Sequence, residues 1–159
     1  MRCHVNIRGQ PVVAILDSGA AVSIITAKLM KRLGLKINQH SKTIVVTANG
    51  AREKALGSIT DAKITLQDIV IPIDLQVIES KDETLLLGTD WFNTSRANLD
   101  FDNHTLKIRY LEKRATIYTT HVSREPVPDK LEEFTNEDEW IDEIEQDQEM
   151  ETLVFLGSV

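Results

Sequence analysis

Between residues 12 and 25 the chain reads Val-Val-Ala-Ile-Leu-Asp-Ser-Gly-Ala-Ala-Val-Ser-Ile-Ile, and a single acid, Asp17, interrupts an otherwise apolar and small-residue run. A carboxylate between two β-type runs costs several kcal/mol to desolvate unless it is paired or hydrogen-bonded. Asp17 is therefore either a turn residue that reaches water or a working group. Ser18-Gly19 suits both readings, because glycine permits a tight turn and serine sets a hydroxyl beside the carboxylate.

The pattern around this stretch is mainly β, with one short helix and one helical turn. Residues 3–8 and 12–16 flank Gly9-Gln10 as a hairpin, and their β-branched content favours strand over helix. After Ile25 the period becomes helical. Leu29, Met30 and Leu33 share a face, Thr26 is expected to cap the start, Lys31 and Arg32 suit the last turn, and Gly34 suits the stop. Residues 42–47 and 52–59 flank Asn49-Gly50, a strong hairpin signal in which both residues tolerate positive φ. The flanks of that turn, Ala48 and Ala51 among them, are polar or small and predict a projecting, mobile tip, and Gly57 is expected at a bulge or bend. Residues 59–66 and 69–78 read as two antiparallel strands. Leu86-Leu87-Gly88 ends a second buried apolar run, and Thr89-Asp90-Trp91-Phe92 reads as a capped helical turn in which capping accounts for Asp90. Residues 97–101 and 105–110 form a last hairpin. Trp91 and Phe92 are expected as core anchors and His104 as a solvated turn residue.

A chain of 159 residues can bury one core and carry a tail. It has no apolar run of about 18 residues and no signal-peptide core at its start, so no membrane partner is expected and a cytoplasmic location is the default expectation. One cysteine, Cys3, excludes an internal disulfide framework; with four scattered histidines it gives no ligand spacing, so neither metal nor cofactor is expected. Lys28, Lys31, Arg32 and Lys36 read as a wet helix face and not a nucleic-acid site, since no aromatic residues interleave with them. The net charge of −7 is unevenly spread, +4 over residues 1–120 and −11 over 121–159. Together with Pro126 and Pro128 this predicts a domain over 1–115 and an acidic tail over 116–159 that is disordered or folds on a partner. The tail ends in an apolar patch, Leu153-Val154-Phe155-Leu156, and serves either as a tether or as an inhibitor lying across the basic body.

Asp17-Ser18-Gly19-Ala20, the Asn49-Gly50 hairpin and Leu86-Leu87-Gly88, in that order, resemble the retropepsin-like aspartic proteases, and within them those of gypsy-type LTR retrotransposons and retroviruses. The run Leu87-Gly88-Thr89-Asp90-Trp91-Phe92 resembles the helix start that follows the glycine in the retrotransposon enzymes. The resemblance covers residues 2–112. It implies an all-β acid-protease fold, a closed barrel-like half with a flap hairpin. It implies Asp17 as the catalytic acid, with Ser18, Gly19 and Ala20 supporting the loop, Ala48, Asn49, Gly50 and Ala51 as a flap over an extended polypeptide substrate, and Leu86, Leu87 and Gly88 as the ψ-shaped thread beneath.

Peptide hydrolysis by carboxylates needs two of them sharing one proton. The chain has one Asp-Ser-Gly, so an enzyme of this type is a symmetric homodimer with Asp17 and its mate facing across the two-fold axis. Ser18 would then bond across the dyad in the family's pattern. The expected function is an aspartic endopeptidase of a retroelement polyprotein, of which the Met1 start makes this chain a fragment, with Phe155-Leu156 as a processing site. The alternative is a non-catalytic dimerisation or peptide-docking module. Retroviral proteases interleave short chain ends at the interface, whereas this N-terminal strand starts almost at Met1, so the dimer is expected to rest mainly on the active-site loops.

Overall fold

A computed structural model describes residues 1–47, 49–121 and 153–155. Strands β1 (Arg2–Ile7) and β2 (Gln10–Leu16) pair antiparallel from Arg2↔Ile15 to Ile7↔Gln10. Their alternation buries Cys3, Val5 and Ile7 against Val12, Ala14 and Leu16, as the sequence pattern predicts. Strand β3 (Ser23–Thr26) is buried at every position and runs into helix α1 (Ala27–Leu33), which turns Ala27, Leu29, Met30 and Leu33 inward. Gly34, at φ 72°, ends the helix by donating its N–H to Lys31 O at 3.1 Å. Thr26 precedes α1 without capping it. Its Oγ1 instead accepts the Thr84 N–H at 3.0 Å, so the hydroxyl expected at the helix start ties β3 to a segment 58 residues away.

The chain continues through β4 (Ile44–Val46) and β5 (Arg52–Lys54), β6 (Gly57–Leu66) and β7 (Ile69–Ile78), and then β8 (Leu85–Leu87). Helix α2 (Thr89–Ser95) follows, then β9 (Asn98–Asp100), β10 (Thr105–Tyr110) and β11 (Lys113–Tyr118). Six strands close a barrel in the order β1-β2-β8-β3-β7-β6, completed by the Asn6↔Thr65 pairing of β1 with β6. Strands β9 to β11 form a separate three-stranded sheet, and α2 joins it to the barrel. Trp91 is fully buried in one apolar cluster with barrel residues and with Leu106 and Ile108 of β10, and Phe92 packs edge-on to it at 5.7 Å. Both are core anchors. His104 is an exposed turn residue at φ 52°.

Three local expectations are altered. The irregularity of β6 falls between Ile59 and Ala62, where Asp61 adopts φ 61°. Gly57 has a different role: a Cβ there would lie 2.5 Å from Ile37 Cγ2 and 3.1 Å from Gln39 O, so it lets residues 37–39 cross closely. The boundary expected between residues 115 and 116 falls inside β11, which pairs along its length with β10, and Arg2 and Thr120 then exchange backbone hydrogen bonds at 2.9 Å. Of the acidic tail, Leu153–Phe155 form a further strand, β12, parallel to β4. The expected state of residues 122–152 and 156–159, Leu156 among them, lies outside the described residues.

Candidate active site

The loop that carries Asp17 joins β2 to β3, and these strands are not neighbours. β8 lies between them, parallel to β2 (Ile15↔Leu86, Leu16↔Leu87) and antiparallel to β3 (Ile24↔Leu86). Two stretches far apart in sequence are thereby clasped backbone to backbone. Asp17 N–H donates to Leu87 O at 3.0 Å, and Thr89 N–H donates to Ala20 O at 2.7 Å. At Gly88 a Cβ would stand 2.6 Å from Ala20 O and 2.7 Å from Val22 O, so only glycine admits this approach. Leu85 and Leu87 are fully buried and Leu86 nearly so.

Within the loop, Asp17 is half-buried, Ser18 and Gly19 are exposed, and Ala20 is fully buried. The Gly19 N–H donates to Asp17 Oδ1 at 2.8 Å, and the Ala20 N–H to Asp17 O at 3.2 Å. Asp17 Oδ2 is buried and receives no hydrogen bond from the described residues. One carboxylate oxygen is thus held by the backbone while the other is not, and a buried polar atom without a partner calls for a reason.

A second acid braces this loop from behind. Asp90 takes the N–H of Ser23 on Oδ2 at 3.0 Å and the Ser23 hydroxyl on Oδ1 at 2.7 Å, while Ser23 Oγ accepts the Gly88 N–H at 3.1 Å. Capping therefore does not account for Asp90. It does accept the Trp91 N–H at 2.7 Å, but Gly88 is the N-cap residue and the Asp90 carboxylate chiefly bridges α2 to β3. The available signal was Ser23: a hydroxyl in an apolar run that is buried throughout has to find a partner.

β4 and β5 form the expected hairpin, with Val46↔Arg52 the pair nearest the turn. The turn is closed by Thr47 N–H to Ala51 O and Gly50 N–H to Thr47 O, each at 2.9 Å. Asn49 Oδ1 accepts the Ala51 N–H at 3.1 Å and the Thr47 hydroxyl. Asn49, Gly50 and Ala51 are exposed, and Ala48 lies outside the described residues. Gly50 has φ 81°, and the Asn49 side chain helps to close the loop. The base of the hairpin packs down: Val45 is fully buried in a cluster with Ala20, Ile24, Ile78 and Leu86. This small apolar floor therefore joins the hairpin, the Asp17 loop and β8. Among the described residues no group of three or more His, Cys, Asp or Glu could hold a metal ion.

Residues 3–94 match the family model described as "gag-polyprotein putative aspartyl protease". The chain is 31% identical over 105 residues to the UBA domain-containing protein Mud1 of Schizosaccharomyces pombe, covering 66% of this chain and 32% of Mud1. It is 32% identical over 107 residues to DNA damage-inducible protein 1 of Kluyveromyces lactis, covering 67% of this chain and 26% of that protein. It thus spans about a third or less of these relatives. The retroviral protease-like domain of Ddi1 from Leishmania major superposes with a TM-score of 0.61 at 22% identity, over 79% of this chain and 97% of that domain.

Proposed function

Since the chain belongs to the retropepsin-like aspartic protease family, we propose that it is an endopeptidase whose site is completed by a second copy, with one Asp17 from each protomer. One carboxylate takes a proton from an attacking water while the other gives its proton to the scissile carbonyl oxygen; the first then passes its proton to the leaving nitrogen. The observation that carries this reading is the buried Asp17 Oδ2, which has no hydrogen bond from the described residues, beside an Oδ1 fixed by the Gly19 amide. Exposed Ser18 would bond across the dyad and the hairpin tip would close over an extended polypeptide. We read the natural substrate as a retroelement polyprotein from the motif resemblance alone; the curated relatives, Mud1 and DNA damage-inducible protein 1, carry the matched region inside longer proteins.

An Asp17→Asn variant tests the mechanism. It keeps an acceptor for the Gly19 amide, so folding and dimerisation should persist while hydrolysis of a peptide library at mildly acidic pH disappears. Residual cleavage equal to that of the unaltered chain would refute the assignment. A dimer that binds peptides but cleaves none, even with Asp17 intact, would establish the docking-module alternative.

A further inference from the structure

β12 (Leu153–Phe155) pairs in parallel with β4, the first strand of the hairpin read above as the flap, in the register Leu153↔Ile44, Val154↔Val45 and Phe155↔Val46. The sheet order is β12-β4-β5, so β12 takes the edge of β4 that β5 leaves open. An edge strand presents unpaired N–H and C=O groups, and an extended segment that adds to it gains main-chain hydrogen bonds. Charge favours the same docking. Lys42, Arg52 and Lys54 are exposed on this hairpin, and the apolar segment is preceded by Glu149 and Glu151 on a tail of net −11. Thirty-two residues separate Leu153 from Thr120. At about 3.3 Å per residue they reach far more than the width of the barrel, so the connection is easily made within one chain.

We propose that the β4 edge is a binding site for an extended apolar segment with acidic flanks, and that Leu153–Phe155 fills it in cis and straps the hairpin down. Opening the flap then requires the strap to leave or to move with β4. The inference rests on the reading of residues 48–51 as a flap, but docking itself is measured without reference to hydrolysis.

The test is backbone amide hydrogen exchange on the full chain and on a Leu153→Pro/Val154→Pro double variant. Alternate amides of an edge strand face its neighbour, so two successive prolines remove a ladder donor whichever parity holds. The expected result is exchange at least about tenfold faster in residues 44–46 of the variant, with the barrel strands unchanged and protection in the unaltered chain independent of dilution. Equal exchange in the two proteins would overturn the site. Protection that fades on dilution would overturn the cis assignment in favour of a second copy. If the chain cleaves peptides, the variant should show a lower KM at similar kcat. If neither protein cleaves, the exchange result still decides the docking while the protease reading fails alone.

Discussion

At Asp17 the local chemistry turns on one carboxylate with unequal oxygens, Oδ1 bonded to the Gly19 amide and Oδ2 buried without a bond from the described residues. Replacing it by asparagine should lower kcat by about 10³-fold, the scale of a lost general acid or base, and leave the thermal midpoint nearly unmoved. Gly88 is the reverse case, a residue with no reactive group whose size is fixed by two carbonyl oxygens under 3 Å from where a Cβ would stand. Gly88→Ala should cost about 3 kcal/mol in urea unfolding, the upper range for forcing a methyl into a packed site, and distort the Asp17 loop as well. Burial pushes the Cys3 thiol up from 9.0 to about 12, despite the opposing pull of the N-terminal charge. The unfolded chain therefore releases this proton from about pH 9 and the folded chain only near pH 12, so the stability tied to it is complete below pH 9 and declines as pH rises toward 12. Alkylation at pH 8 should be slow until the chain unfolds, and Cys3→Ala should flatten the fall of the urea midpoint between pH 9 and 11.

Among the elements, α2 is the one whose role was least visible. Asp90 accepts from both donors of Ser23, so Asp90→Ala strands a buried hydroxyl and amide. The expected loss is about 1–3 kcal/mol by chemical denaturation, with Asp90→Asn recovering part of it. Hairpins were legible because alternation is local: β1 with β2, β6 with β7 and β9 with β10 all follow from residues close in sequence. Helix α1 and its Gly34 stop were legible for the same reason. What local pattern could not give is the choice among distant partners. Thr26 looks like a cap from its neighbours, yet it bonds Thr84; Asp90 looks like a cap, yet it grips Ser23. The pairing of the Asp17 loop with Leu86-Leu87-Gly88 was reached through a family resemblance, since nothing in an apolar tripeptide announces that it will lie between two earlier strands. The hairpin turn was read from Asn-Gly alone, which did not show that the Asn49 side chain accepts the Ala51 N–H and the Thr47 hydroxyl across it.

For the whole molecule, the proposed activity depends on two chains meeting at a loop whose Ser18 and Gly19 are exposed in the single chain. Specific activity should therefore rise with protein concentration and level off where sedimentation shows the dimer, whereas activity proportional to concentration throughout would indicate a site complete in one chain. The N-terminal strand is engaged in its own barrel, with Met1 O accepting the Leu16 N–H at 2.8 Å.

The placement of β8 between β2 and β3 also sets an order of assembly. β1 and β2 can pair as soon as residue 16 exists, but the slot beside Leu16 stays empty until Leu85–Leu87 arrive some seventy residues later. Closing contacts so distant in sequence is slow, because the loop entropy is lost before the pairing is gained. A nascent chain thus has its Asp17 loop unsupported until residues 85–89 arrive to pair with it. The Asp17 loop thus takes its final shape only in a chain complete through residue 89.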